Sequence, residues 1–223
     1  MFFYVPEELE SDFDDALEAI GELCTINYND VDNTTDIYAI ITNLDFKSNM
    51  KGLSDKTKDI KVSLSASIKS GDYLTDSDSN IHLINWHPFK DINCYASQIQ
   101  ICTDTFTFEN WSEAVINSSG VETTPTSGYV SIVEDVYGYI NRTGMSSYDS
   151  KDGNVGIMQT QKISISVQYN SNTSLVGISD EFSYNSVQYI VTDIDYTHLN
   201  LSGTDGILVI FAQVIEGGRR NEV

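Results

Sequence analysis

Apolar residues recur at every second position through most of this chain. Ile37, Ala39 and Ile41 alternate against Tyr38 and Ile40. Ile60, Val62, Leu64, Ala66 and Ile68 follow in one run, and Ile163, Ile165, Val167 and Tyr169 in another. A period of two is that of a pleated strand with one face buried. Strand runs at short intervals, separated by polar turns, predict an antiparallel β-sandwich or barrel. The fold class expected is therefore mainly β, with one exception at the N-terminus.

That exception is a short helix. Pro6 suits a first helical turn, and Glu7, Glu8 and Glu10 suit the positive end of a helix dipole. Leu9, Phe13, Leu17 and Ile20 recur at helical spacing and form the packing face, and Gly21 is a natural stop. Asp12, Asp14, Asp15 and Glu18 lie on the other face. They read either as a solvated face or as a surface that docks on a neighbouring subunit.

Strands are expected at Leu23–Tyr28, Asp36–Phe46, Ile60–Ile68, Ile81–Trp86, Tyr129–Ile140, Val187–Ile194 and Gly206–Ile215, the last as a doubly covered central strand. Trp86-His87-Pro88 ends its strand, because proline cannot continue a ladder. Ile99 and Ile101 continue one face, whereas Phe106 and Phe108 fall on the opposite parity. A bulge or turn near Thr103–Thr105 would account for that slip. Three parts are expected: residues 1–116 with the helix and first β part, a Ser/Thr-rich connection at 117–128, and a second β part at 129–216, of the same domain or another. Residues 217–223 read as a tail.

The stretch Ile68–Phe108 reads as a β-ribbon, opened by Gly71-Asp72 and turning at Asp76–Asn80. Gly177–Phe211 echoes it faintly. Both place an Asp and an aromatic residue (Asp72-Tyr73, Asp180-Phe182) before a polar turn and a strand. The echo is either a duplication or the chance recurrence of a common turn.

The formal net charge is -21. Phosphate binding needs clustered Lys and Arg, so the charge argues against a nucleic-acid-binding surface and against an anionic membrane surface. No apolar run is long enough to cross a bilayer as a helix. The opening MFFYVPEELE is apolar for five residues and then acidic, with no basic n-region and no cleavage pattern, so it does not read as a signal peptide. Six of the twelve basic residues, Lys47, Lys51, Lys56, Lys58, Lys61 and Lys69, fall in or just after a polar loop at Lys47–Asp59. The loop is either solvated or an arm that meets acidic surface on the next subunit or reaches DNA. Cys24, Cys94 and Cys102 do not make a disulfide framework. Cys94 and Cys102 could meet across a ribbon, although buried free thiols fit better.

No catalytic constellation emerges, so the expectation is a non-enzyme with no cofactor and no metal. Asp76-Ser77-Asp78-Ser79-Asn80 opens like a calcium loop, but Ile81 stands where the glycine is needed and His87 where the glutamate is needed. His82, His87 and His198 show no zinc spacing. There is no G-x-S-x-G elbow, phosphate loop or dinucleotide fingerprint. Acidic pairs such as Asp193/Asp195 are expected by number alone in so acidic a chain.

Several segments together resemble the neck proteins of tailed bacteriophages, the head-closure (stopper) and head–tail connector family. They are Asp36–Ile41 followed by a charged loop; Ile68–Leu74, similar to an apolar-x-x-Gly-Asp-x-apolar opening; Ile99–Thr103; and Val187–Asp195 leading to Gly206-Ile207-Leu208. Thr103 stands where that family often has Asn, and the Ser/Thr-rich middle is long for it. The resemblance implies a structural virion protein, a homo-oligomeric ring below the portal in the neck, made in the host cytoplasm. It would contact portal or adaptor and tail proteins, and let DNA pass through an acidic lumen without tight binding. Acidic helix (Asp12, Asp14, Asp15, Glu18) against basic loop (Lys47, Lys51, Lys56, Lys58) is the subunit contact this implies. Other readings are a tail terminator, collar or baseplate ring, and, from another class, a receptor- or carbohydrate-binding β module using the plentiful aromatics.

Overall fold

The computed structural model describes residues 7–27, 34–43, 57–112, 128–141 and 162–215. Helix α1 (Glu7–Ile20) is followed by β1 (Glu22–Asn27), β2 (Thr34–Asn43), β3 (Thr57–Ser63), β4 (Tyr73–Thr75), β5 (Ile81–Ile84), β6 (Phe89–Lys90) and β7 (Cys94–Ile101). Then come β8 (Asp104–Ser112), β9 (Gly128–Asn141), β10 (Lys162–Gln168), β11 (Glu181–Tyr184), β12 (Val187–Asp195) and β13 (Ile207–Val214). The chain is mainly β, as expected, and all named strand pairs are antiparallel.

The strands form two units. In the first, the order is β3-β2-β1-β4-β5-β7-β6, and β3 also pairs with β7, so the row comes round on itself. In the second, β10-β13-β12-β11-β8-β9 is a closed barrel. Closure leaves few unpaired edges, which suits a protein this rich in strands. Cys24, Ile26, Ile60, Val62, Leu74, Ile84 and Ile99 fill the first core. Phe106, Phe108, Phe182, Ile165, Leu208 and Ile210 lie in the second.

The two barrels are copies of one topology, and their registers agree. Around the first runs Glu22↔Ala39↔Val62↔Tyr95. Around the second runs Asp104↔Gly138↔Val167↔Leu208. A second circuit lies five positions along the shared strands. It reads Asn27↔Tyr73↔Leu83↔Gln100↔Thr57 in one barrel and Glu109↔Glu181↔Ile190↔Gln213↔Lys162 in the other. The segment leading into β4 or β11 also matches. Asp72 Oδ2 accepts the N–H of Lys69 at 2.7 Å, and Asp180 Oδ2 that of Gly177 at 2.6 Å. Ile84 N–H donates to Asp72 O, and Val191 N–H to Asp180 O. Gly71 and Ser179 both hold positive φ, at 95° and 78°. The echo between the two stretches is thus part of a whole-barrel correspondence, although the partner of Tyr73 is Glu181 and that of Leu74 is Phe182.

Several sequence expectations are corrected. β8 pairs with β9 and β11, so Asp104–Ser112 belongs to the second barrel and the chain passes between barrels at Cys102–Thr103, ahead of 117–128. The parity slip between Ile101 and Phe106 is this change of barrel. β3 stops at Ser63, where Ala66 N–H turns back to Ser63 O; Ala66 and Ile68 still pack on the first core, but from a strap without strand pairing. Ile20 is 75% exposed, because the apolar stripe of α1 ends at Leu17, whose carbonyl accepts the Gly21 N–H as the chain turns into β1. Cys94 and Cys102 sit at opposite ends of β7, a strand of eight residues spanning roughly 26 Å, too far apart to pair. β13 alternates buried and half-buried positions and is not doubly covered throughout.

Candidate functional site

The junction between the barrels gathers the least ordinary chemistry of the chain. Gly71 opens β4 in a left-handed conformation that an L side chain rarely adopts. A Cβ there would stand 2.0 Å from the carbonyl oxygen of Gly206, so backbone meets backbone across the junction. Tyr73 follows. Its hydroxyl donates to Tyr137 O and accepts the N–H of Gln168 at 3.1 Å, tying β4 of one barrel to β9 and β10 of the other. Tyr73, Leu83, Tyr139 and Ile207 form a small buried cluster of their own, joined by Ile81, Cys102 and Val209. Lys69 pairs with Asp205 at 3.2 Å across the same seam.

Burial shapes the ionisation of this region. Burial pushes Asp72 up to about 7, against the N–H and the charge of Lys69, which favour the anion. Burial also raises the Tyr73 hydroxyl, and pushes Cys102 up to about 12, so that thiol is a poor nucleophile. Asp180, the counterpart of Asp72, is raised for the same reason.

Beside the seam lies an open cleft of about 910 Å³, with Trp86 and His87 from one barrel facing Tyr139, Ser164 and Ser166 from the other, and Asn200 at its rim. It offers aromatic rings, Trp86 the exposed one among them, and several hydroxyl and amide groups. No group of three His, Cys, Asp or Glu suited to a metal occurs among the described residues.

The residues singled out from sequence do not converge on one place. Asp12, Asp15 and Glu18 are exposed on α1 and Asp14 is half-buried. Leu17 is buried and Phe13 half-buried; Leu9 lies in α1, but its side chain is outside the described residues. Lys58 is on β3, opposite Ile99 of β7. Lys47, Lys51 and Lys56 lie outside the described residues, so the proposed contact of acidic helix with basic loop has no described geometry.

Sequence reasoning passed over the Asp76–His82 pair. Asp76 Oδ2 lies 2.8 Å from Nε2 of the buried His82, and its Oδ1 accepts the N–H groups of Asp78 and Asn80. Burial opposes ionisation of Asp76, but these bonds outweigh it and hold its carboxyl below the usual range. The aspartate that opens like a calcium loop therefore organises a hairpin turn. The i, i+2 and i+4 spacing from an Asp was the available signal.

No family model matches the chain, and no curated protein matches it. Among solved structures it is similar to MrkH, described as a c-di-GMP-dependent transcription regulatory factor, at 11% identity over 95% of this chain and 84% of that one, with a TM-score of 0.20. A likeness that low carries no argument about fold or function.

Proposed function

We propose that this chain is a structural virion protein of a tailed bacteriophage, a ring component of the neck that closes the head or joins head to tail. The observation that carries the reading is where the resembling segments fall. Ile68–Leu74 forms the strap and opening of β4, Ile99–Thr103 the end of β7 and the crossing between barrels, and Val187–Asp195 with Gly206–Leu208 forms β12 and the start of β13. The resembling segments are thus spread over the frame of both barrels. The charge of -21 supports it physically. An acidic lumen repels DNA and lets it slide, whereas a basic lumen would hold it. Neighbours would be portal or adaptor and tail proteins, with the protein in the host cytoplasm before assembly.

Immunogold labelling of particles from the source lysate, with proteomics of the same particles, tests this. Label between head and tail is expected. Absence of the protein from purified particles would refute it, and label elsewhere on the tail would move the ring to a terminator, collar or baseplate position.

A second reading has one observation in its favour. The cleft with exposed Trp86 beside Ser164, Ser166 and Asn200 is a surface on which a sugar ring could stack and hydrogen-bond. Binding on a glycan array that is lost in Trp86→Ala would favour a carbohydrate-binding module.

A further inference from the structure

The correspondence of the barrels gives each surface of one a counterpart on the other. On the second barrel, Ser164, Ser166 and Val209 form the wall that faces the first barrel. Their counterparts by register are Asp59, Lys61 and Ala96. These three line a separate groove of about 470 Å³ on the first barrel, together with Trp86 and Phe89. Among the described residues, only the first barrel lines that groove, although Trp86 also faces the second barrel at the cleft. Trp86 and Phe89 are exposed, and Ile92 beside them is 72% exposed.

The other half of the contact has a counterpart too. The first barrel reaches the second with the strap Lys69-Ser70-Gly71. Counting from Asp72 and Asp180, the matching strap is Gly177-Ile178-Ser179. It displays Ile178 at 65% exposure, and Leu175 nearby is also exposed. At the internal seam Lys69 pairs with Asp205. The counterpart of Asp205, counting back from β13 and β7, is Ile92, and the counterpart of Lys69 is Gly177, next to Ile178. The polar pair of the internal contact is thus absent at the free ends, where Ile92 stands for Asp205 and Gly177, beside exposed Ile178, for Lys69.

We propose that these free ends meet between chains: Leu175 and Ile178 on the second barrel of one copy seat against Phe89, Trp86 and Ile92 on the first barrel of the next. The partner is a second copy, and the contact is head-to-tail, repeating between chains the contact made within one. Heterologous contacts of this kind build rings when the rotation closes. The inference deepens the ring reading and rests on it. Two features agree with a contact confined to this half of the surface. Helix α1 already lies by Tyr38 and Ser63, the counterparts of Tyr137 and Gln168. Glu181, the counterpart of Tyr73, accepts from Tyr129 of its own barrel and does not reach outward.

The test mixes two full-length variants, each with one cysteine added to the native Cys24, Cys94 and Cys102, Ile92→Cys and Ile178→Cys, under mild oxidation. The mixture is expected to give a covalent dimer severalfold above either variant alone or the wild type. Sedimentation of Ile92→Asp and Ile178→Asp is expected to show loss of self-association, with fold unchanged because both sites are exposed. Mixing Ile92→Lys with Ile178→Asp should restore it. No cross-link while the wild type still assembles overturns the inference and leaves the ring reading standing. No cross-link with a wild type that stays monomeric also overturns it, and particle labelling then decides the ring reading separately.

Discussion

Gly71 and Gly206 meet across the seam between the barrels so closely that a methyl group on Gly71 would stand 2.0 Å from the Gly206 carbonyl oxygen. No flexible side chain can yield there, since the obstacle is backbone. Gly71→Ala adds the cost of a positive φ to that clash, together about 3 kcal/mol or more. Chemical denaturation is expected to show this loss. Ser179→Ala, at the corresponding positive φ of the second barrel, removes a residue already bearing a Cβ and is expected to cost far less.

Tyr73 tests the seam from the other side. Tyr73→Phe keeps the ring but removes a hydroxyl that donates to Tyr137 O and accepts from Gln168 N–H. The Gln168 N–H is left buried without that partner, a loss of about 1–3 kcal/mol. Hydrogen exchange should quicken at Gln168 more than at Ile99 in the first core.

The pH dependence has a definite sign. Asp72 is raised to about 7 in the folded protein from an ordinary value of 3.8. The unfolded chain therefore holds the proton less tightly. The neutral form stabilises the fold fully below about pH 4, and that contribution is lost as pH rises towards 7, by roughly 2–4 kcal/mol in all. Asp72→Asn keeps an acceptor for the Lys69 N–H and carries no charge. Its stability relative to wild type is expected to rise between pH 4.5 and 7.5, measured by urea midpoints. An unchanged difference across that range would contradict the assignment.

Asp76 acts in the opposite sense. Its carboxyl is held below 3.8, so its contribution is present above that pH and is lost on acidification below it. Asp76→Ala removes the acceptor for Asp78 N–H, Asn80 N–H and His82 Nε2 together. A loss of about 2–4 kcal/mol at neutral pH is expected by thermal or chemical unfolding.

What could be read from the sequence was local. The alternation at Ile163, Ile165 and Val167 gave β10, and the polar run at Asp76–Asn80 gave the β4–β5 turn, because strand period and turn chemistry are written in neighbouring residues. The likeness of Asp72 to Asp180 was also visible, since both caps lie within three residues of their partners. The rest depends on closure. Nothing near Thr103 says that Phe106 has left one core for another; only its pairing with Val136 does. Leu64–Ile68 kept the strand period but pairs with no strand among the described residues. Tyr73 looked like half of a Tyr–Phe repeat, yet its role comes from Gln168, distant in sequence.

The most direct test of the central claim is a cryo-electron microscopy reconstruction of the neck in particles from the source lysate. A ring is expected between head and tail in which every copy of this chain contributes two barrels, so that barrels number twice the chains, with the acidic surface towards the lumen. A neck map in which every density is assigned to other proteins would contradict it.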